Sequence, residues 1–118
     1  MRLAASAAVL LAATGLAMAQ DKLIELEDTV MVAPLGMSVE QIEDLDVYVD
    51  GRKVGEVEEV IGTDPASPTA LVIDFDGDSV FGDRDDMIVQ IARFVASGGR
   101  LVTDLSPTEV ASLDVWKD

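Results

Sequence analysis

The chain has 118 residues, with 23 Asp or Glu against 8 Lys or Arg and no His, a net charge of −15. That balance excludes nucleic acid and anionic lipid surfaces as partners, because binding phosphates requires Lys and Arg to displace counterions. The absence of Cys and His excludes disulfides, the usual ligands of zinc, copper and iron, a histidine base and a thiol nucleophile.

Residues 1–19 read as a secretory signal peptide. Arg2 is their only charge, residues 3–18 are apolar or small, and Gly15 interrupts the helix-forming run. Ala17-Met18-Ala19 then supplies small residues at the two positions a signal peptidase reads. The competing reading is an uncleaved anchor, but the run is Ala-rich and barely reaches the ~20 residues a spanning helix needs. Cleavage after Ala19 leaves a 99-residue chain, residues 20–118, with 7 basic and 23 acidic side chains, a net of −16. Such a chain forms one domain, sits in the periplasm or outside the cell, and keeps no stable membrane span.

Residues 20–41 read as a lead-in, with residues 20–27 a flexible tether and one short apolar run at residues 29–33. The competing reading is an ordered strand on the domain edge. From Leu45 the pattern turns to strand: Leu45, Val47 and Val49 alternate with Asp46 and Tyr48, a period of two. Asp50-Gly51 then signals a hairpin, since its turn needs positive φ at both central positions. Residues 53–61 form the return strand, and Gly55 inside it marks a bulge or tight bend. Residues 62–68 are a loop by composition. Residues 69–75 form an apolar strand continuous enough to be central, and residues 76–86 an acidic, Gly-containing loop. A further strand is expected over residues 87–94, a turn at Gly98-Gly99, and a last strand over residues 100–104. Ser106-Pro107-Thr108-Glu109 is a capping box with Pro at the first helical position. It opens a short helix ending near Leu113, after which Val115 or Trp116 packs back on the barrel. Several short strands and one terminal helix suggest a small, strongly bent sheet or barrel.

The run Val47-Tyr48-Val49-Asp50-Gly51-Arg52-Lys53-Val54-Gly55-Glu56-Val57 resembles the opening hairpin of the PRC-barrel family. Ala70-Leu71-Val72-Ile73-Asp74 resembles the family's next strand, and Met87-Ile88-Val89-Gln90-Ile91 the strand after it. The run from Leu101 to Val110 resembles the closing strand and helix. No Pro follows Ile91, and Leu113-Asp114-Val115-Trp116 stands where the family often has a Leu-x-x-x-Pro run. The resemblance spans residues 42–116. The family is named for the cytoplasmic domain of the photosynthetic reaction-centre H subunit and includes the C-terminal domain of a ribosome-maturation factor. It implies a mainly β, six-stranded barrel with a short C-terminal helix over residues 42–118, used as an interaction module. It brings no catalytic residues.

The most suggestive chemistry lies in Asp74-Phe75-Asp76-Gly77-Asp78, continuing to Asp83, Asp85 and Asp86. Carboxylates at alternate positions near glycines can wrap calcium, which takes six to eight oxygens. Asp74, Asp76, Asp78, Asp83 and Asp85 are the candidate ligands. An EF-hand reading fails, because Ser79 stands where that loop needs Gly, Asp85 stands where it needs Glu, and a strand precedes it. The plainer reading is a solvated acidic loop that keeps an edge soluble. Paired carboxylates also serve glycosidases, but nothing in the sequence marks a buried pair, and a hydrolytic Ser would lack a His base. No cofactor is implied. Tyr48 and Trp116 are the candidate aromatic anchors for a partner, against the plainer reading that Trp116 caps a small core. The expected function is that of an exported, non-enzymatic docking module of the bacterial envelope, whose protein partner presents a basic face. The alternatives are a calcium-binding periplasmic protein using residues 74–86 and a self-assembling envelope protein.

Overall fold

A computed structural model describes residues 22–117, so the expected signal peptide lies outside the described residues. The chain forms β1 (Ile24–Glu25), β2 (Met31–Val32), β3 (Met37–Ser38), α1 (Val39–Glu43), β4 (Asp46–Val49), β5 (Arg52–Gly62), β6 (Pro68–Phe75), β7 (Arg84–Gln90), β8 (Phe94–Ser97), β9 (Arg100–Thr103) and α2 (Pro107–Ala111). The architecture is mainly β with a short C-terminal helix.

The Asp50-Gly51 turn joins β4 to β5, and both residues have positive φ, +52° and +79°. That pair of left-handed conformations matches the twist of an antiparallel hairpin. Two residues beyond the turn the register slips. Tyr48 pairs with Lys53 but Val47 pairs with Gly55, so Val54 is the extra residue of a bulge. Gly55 is required there by close approach: a Cβ on it would lie 2.5 Å from the Asp74 carbonyl oxygen on β6.

From this hairpin the sheet extends both ways in the order β7-β6-β5-β4-β9-β8. All its pairings are antiparallel except β4 with β9, which is parallel. β1 adds to β5 off this path. Among the described residues the ladders do not close β7 onto β8, so the sheet is an open, bulged path rather than a hydrogen-bonded barrel.

The inner face carries the main core, including Val47, Val57, Val60, Leu71, Ile73, Val89 and Leu101. The outer face of β5, β6 and β7 is covered as well: Ile61, Ala70, Val72 and Ile88 pack under Trp116, with Leu23 alongside. This two-sided burial explains why Ala70-Leu71-Val72-Ile73 is an unbroken apolar run rather than an alternating one. The C-terminal segment also pairs with the outer edge of β7. The Ile88 N–H donates to the Asp114 carbonyl at 2.8 Å, and the Trp116 N–H to the Asp86 carbonyl at 2.6 Å.

Three expectations are corrected. The tether at residues 20–27 is ordered from Lys22 on: Ile24 and Glu25 pair with Gly62 and Ile61, and Leu26 is buried in the main core. Apolar side chains at Leu26, Val32 and Leu35 complete that core, so the lead-in belongs to the same body as the sheet. The strand expected over residues 87–94 is broken by a 3-10 turn, Ile91–Arg93, which redirects the chain into β8. The acidic loop expected over residues 76–86 ends at Asp83, since β7 begins at Arg84. The C-terminal helix ends at Ala111, near Leu113 as expected. Its expected capping box is present: Ser106 Oγ accepts from the Glu109 N–H at 3.2 Å, and Glu109 Oε1 accepts from the Ser106 N–H at 2.9 Å. Helix α1, not anticipated, uses the same device at Ser38 and Gln41.

Gly55→Ala should destabilise the chain by roughly 1–3 kcal/mol, the usual cost of forcing extra volume into a packed site. Urea denaturation checks this; an unchanged midpoint would mean that β5 and β6 separate freely at Gly55.

Candidate functional site

The bulge at Val54 fixes which side chains of neighbouring strands meet on the outer face. Asp46 of β4 stands opposite Glu56 of β5, and Glu56 stands opposite Asp74 of β6. A second register shift, between Ile73 and Phe75, carries the row on to β7. There Asp74, Asp83 and Asp85 bring one carboxylate oxygen each within 4.8 Å of one another. One acidic residue from each of four adjacent strands, Asp46, Glu56, Asp74 and Asp85, therefore forms a lateral row. Glu58 flanks it on β5. Like charges placed directly opposite across a ladder destabilise it. Lys53 relieves only one end, at 3.8 Å from Asp46 and 4.0 Å from Glu56.

Asp74 is the least exposed of the cluster on β6 and β7. Partial burial, a hydrogen bond shared with Asp85, and the negative charges of Asp85, Glu58 and Glu56 together raise its carboxyl from 3.8 to about 6. The loop that delivers Asp83 and Asp85 is anchored from beneath. Phe81 is buried with its ring edge-on to Phe75, centroids 5.1 Å apart, and its carbonyl accepts from Arg84 Nε at 3.1 Å.

Of the five candidate calcium ligands, the structure brings together Asp74, Asp83 and Asp85. Asp76 serves the turn through its backbone instead: its N–H donates to the Val54 carbonyl at 2.8 Å, and its carbonyl accepts from Ser79 Oγ at 2.7 Å. Asp78 lies apart from the trio, across a shallow cleft from Arg52 and Lys53. Asp46, Glu56 and Glu58 were not anticipated. Their signal was the alternation of acidic and apolar residues on β4 and β5, read together with the hairpin register. Placing Asp46 opposite Glu56 also requires the bulge.

The two candidate anchors part company. Trp116 is buried, 9 % exposed, and its indole N–H has no hydrogen-bond partner among the described residues. It covers the outer face of the sheet and is not a surface anchor, which corrects the sequence expectation. Tyr48 lies half-buried on the outer face with the Arg100 guanidinium carbon 4.0 Å from its ring centroid, a cation–π contact. At the far end of the sheet, Arg93 holds Glu109 at 2.8 Å and Asp104 at 3.1 Å. The hydrogen bond from Arg93 holds the Glu109 carboxyl down at about 2.

Neither family models nor curated protein sequences give a match to this chain.

A carboxyl raised in the folded state stabilises fully below its ordinary value and loses that contribution as pH rises through its folded value. For Asp74 the loss falls between about pH 4 and pH 6. Asp74→Asn should therefore stabilise the chain at pH 7 by roughly 0.2–1 kcal/mol, the scale of a like-charged cross-strand pair. The parent should gain melting temperature on acidification from pH 7 to pH 4, and the substitution should flatten that rise. Parallel pH profiles for the two proteins would refute the assignment.

Proposed function

We propose that the chain is an exported, non-enzymatic docking module of the PRC-barrel type, acting in the bacterial envelope on a protein partner with a basic face. The observation that carries this reading is the row Asp46, Glu56, Asp74 and Asp85, aligned across four strands by two register shifts. The row lies on an open sheet face, where it meets a surface rather than a small molecule in a cleft. A complementary positive surface raises the rate of encounter and fixes orientation. The six-strand path from β7 to β8, with the main apolar core on its inner face, supports the barrel family although its ladders stay open. The absence of His and Cys from the chain supports a role without catalysis. The apolar, Ala-terminated run at residues 1–19 supports export.

Capture with crosslinking from an envelope extract should recover a partner whose retention falls as salt rises past roughly 0.15 M, where the Debye length is about 8 Å. The double substitution Glu56→Lys and Asp85→Lys should lower that retention by tenfold or more, on the scale of two interfacial charges reversed. Equal retention by parent and variant at every salt concentration would place docking elsewhere.

The convergence of Asp74, Asp83 and Asp85 favours calcium binding as the second reading. Three carboxylates supply part of the six to eight oxygens calcium takes, with water completing the shell. Calcium should then raise the melting temperature by mass action. Magnesium, which demands tight octahedral geometry, should do much less. Equal shifts with calcium, magnesium and sodium at matched ionic strength would reduce the effect to screening of the net charge.

A further inference from the structure

We propose that β8 is a self-pairing edge: two copies of the chain associate about a twofold axis at Val95, joining β8 to β8 antiparallel. The inference goes beyond the docking reading and rests on a different part of the fold. The two ends of the sheet are treated differently. The outer edge of β7 is taken by the chain's own C-terminal segment through Asp114 and Trp116. The outer edge of β8 is not taken. Its pairing with β9 runs without a break from Phe94–Thr103 to Ser97–Arg100. Around a two-residue turn, that register points the Ala96 N–H and carbonyl away from β9. Among the described residues no backbone hydrogen bond reaches them. The Phe94 N–H is used locally, donating to the Ile91 carbonyl, which leaves its carbonyl for a neighbour. The turn Ala33–Leu35 packs near β8 without hydrogen-bonding it.

Edge strands that must stay single carry charges, Pro or a bulge. Phe94-Val95-Ala96-Ser97 carries none of these. Val95 is 65 % exposed and continues an apolar strip through its neighbour Val102 to Tyr48.

Charge selects the occupant. In a chain of net −15, residues 91–103 contain Arg93 and Arg100 and no acidic residue. Arg93 is neutralised by Asp104 and Glu109, so this edge offers a basic partner no carboxylate row to bind. Two copies can meet along this stretch without setting carboxylate against carboxylate. With Val95 on the axis, the Ala96 N–H of each copy donates to the Phe94 carbonyl of the other, using groups that are free in the single chain. Val95 faces its own counterpart as a non-hydrogen-bonded pair, the kind with the closer side chains. Arg93 falls opposite Ser97 of the other copy, so no like charges are paired along the seam. The seam is short, well below the area of a standard stable interface. The dimer is therefore weak and opposed by net charge, and salt strengthens it.

Sedimentation equilibrium of the naturally processed protein should show a monomer–dimer equilibrium that tightens by about tenfold between roughly 0.05 M and 0.5 M salt as the net charge is screened. Val95→Lys, which sets two cations across the axis, should abolish the dimer. Ala96→Pro should do the same by removing the outward donor, at a position where an edge strand tolerates Pro. Circular dichroism identifies any variant that has failed to fold. The chain has no Cys, so Val95→Cys gives an independent reading. Under mild oxidation it should crosslink into a dimer far faster than Val80→Cys, which tests an equally exposed valine on the acidic loop. A monomer at every concentration and salt, a dimer insensitive to Val95→Lys and Ala96→Pro, or equal crosslinking at positions 95 and 80 would each overturn the proposal. None of these outcomes touches the acidic row, so docking and self-pairing fail separately.

Discussion

The close approach of β5 to β6 at Gly55 governs the rest of the molecule. With no side chain at that position, the Asp74 carbonyl comes within 2.5 Å of where a Cβ would stand. β5 can then carry a bulge and still run for eleven residues as a shared strand, pairing with β4 at one end, β6 along its length and β1 at the other. The bulge moves Asp46 from facing Gly55 to facing Glu56. The acidic row exists because of that one-residue slip. A side chain at position 55 would therefore disturb the acidic face and the core together.

A chain without disulfides has to find its stability in burial, and 118 residues offer little volume for it. The fold answers by using both faces of β5, β6 and β7. The main core fills one side, while segments near the two ends of the described chain, Leu23 and Trp116, cover the other. Burial of a large aromatic ring outweighs an indole N–H left without a partner, a group whose desolvation costs on the order of 1–3 kcal/mol. Trp116 thereby acts as a lid on the sheet, and the backbone bonds of Asp114 and Trp116 to β7 close an edge that would otherwise be open.

What the sequence made legible were the features set by local chemistry. Asp50-Gly51 announced its turn because few residue pairs accept two positive φ values in succession, and Ser106-Pro107-Thr108-Glu109 announced a helix start through its own hydrogen bonds. The equivalent box at Ser38 and Gln41 is hard to read in the sequence, because the helix it opens is one turn long and has no Pro to mark it. Long-range pairing was harder to read. Ile24-Glu25 shows no strand pattern of its own and is ordered only by β5. The break at residues 91–93 is invisible in an apolar run that continues on either side of it. At the acidic loop, composition located Asp74, Asp83 and Asp85 but could not separate them from Asp76 and Asp78, since the register of β6 against β7 decides which carboxylates meet.

The distribution of charge along the sheet carries the last step. Acidic residues are concentrated from β4 to β7, and the β8–β9 hairpin has none. Repulsion between whole molecules keeps such a chain soluble, but it acts over about a Debye length and weakens steeply with salt. Contact chemistry is decided at shorter range, where the neutral edge and the carboxylate row present opposite surfaces. A twofold pairing through β8 leaves both copies of the row uncovered and doubles the number of acidic faces on one particle. Were the proposed partner to repeat its basic surface, two weak contacts would act as one strong contact, with a gain set by the spacing of the rows rather than by any new bond.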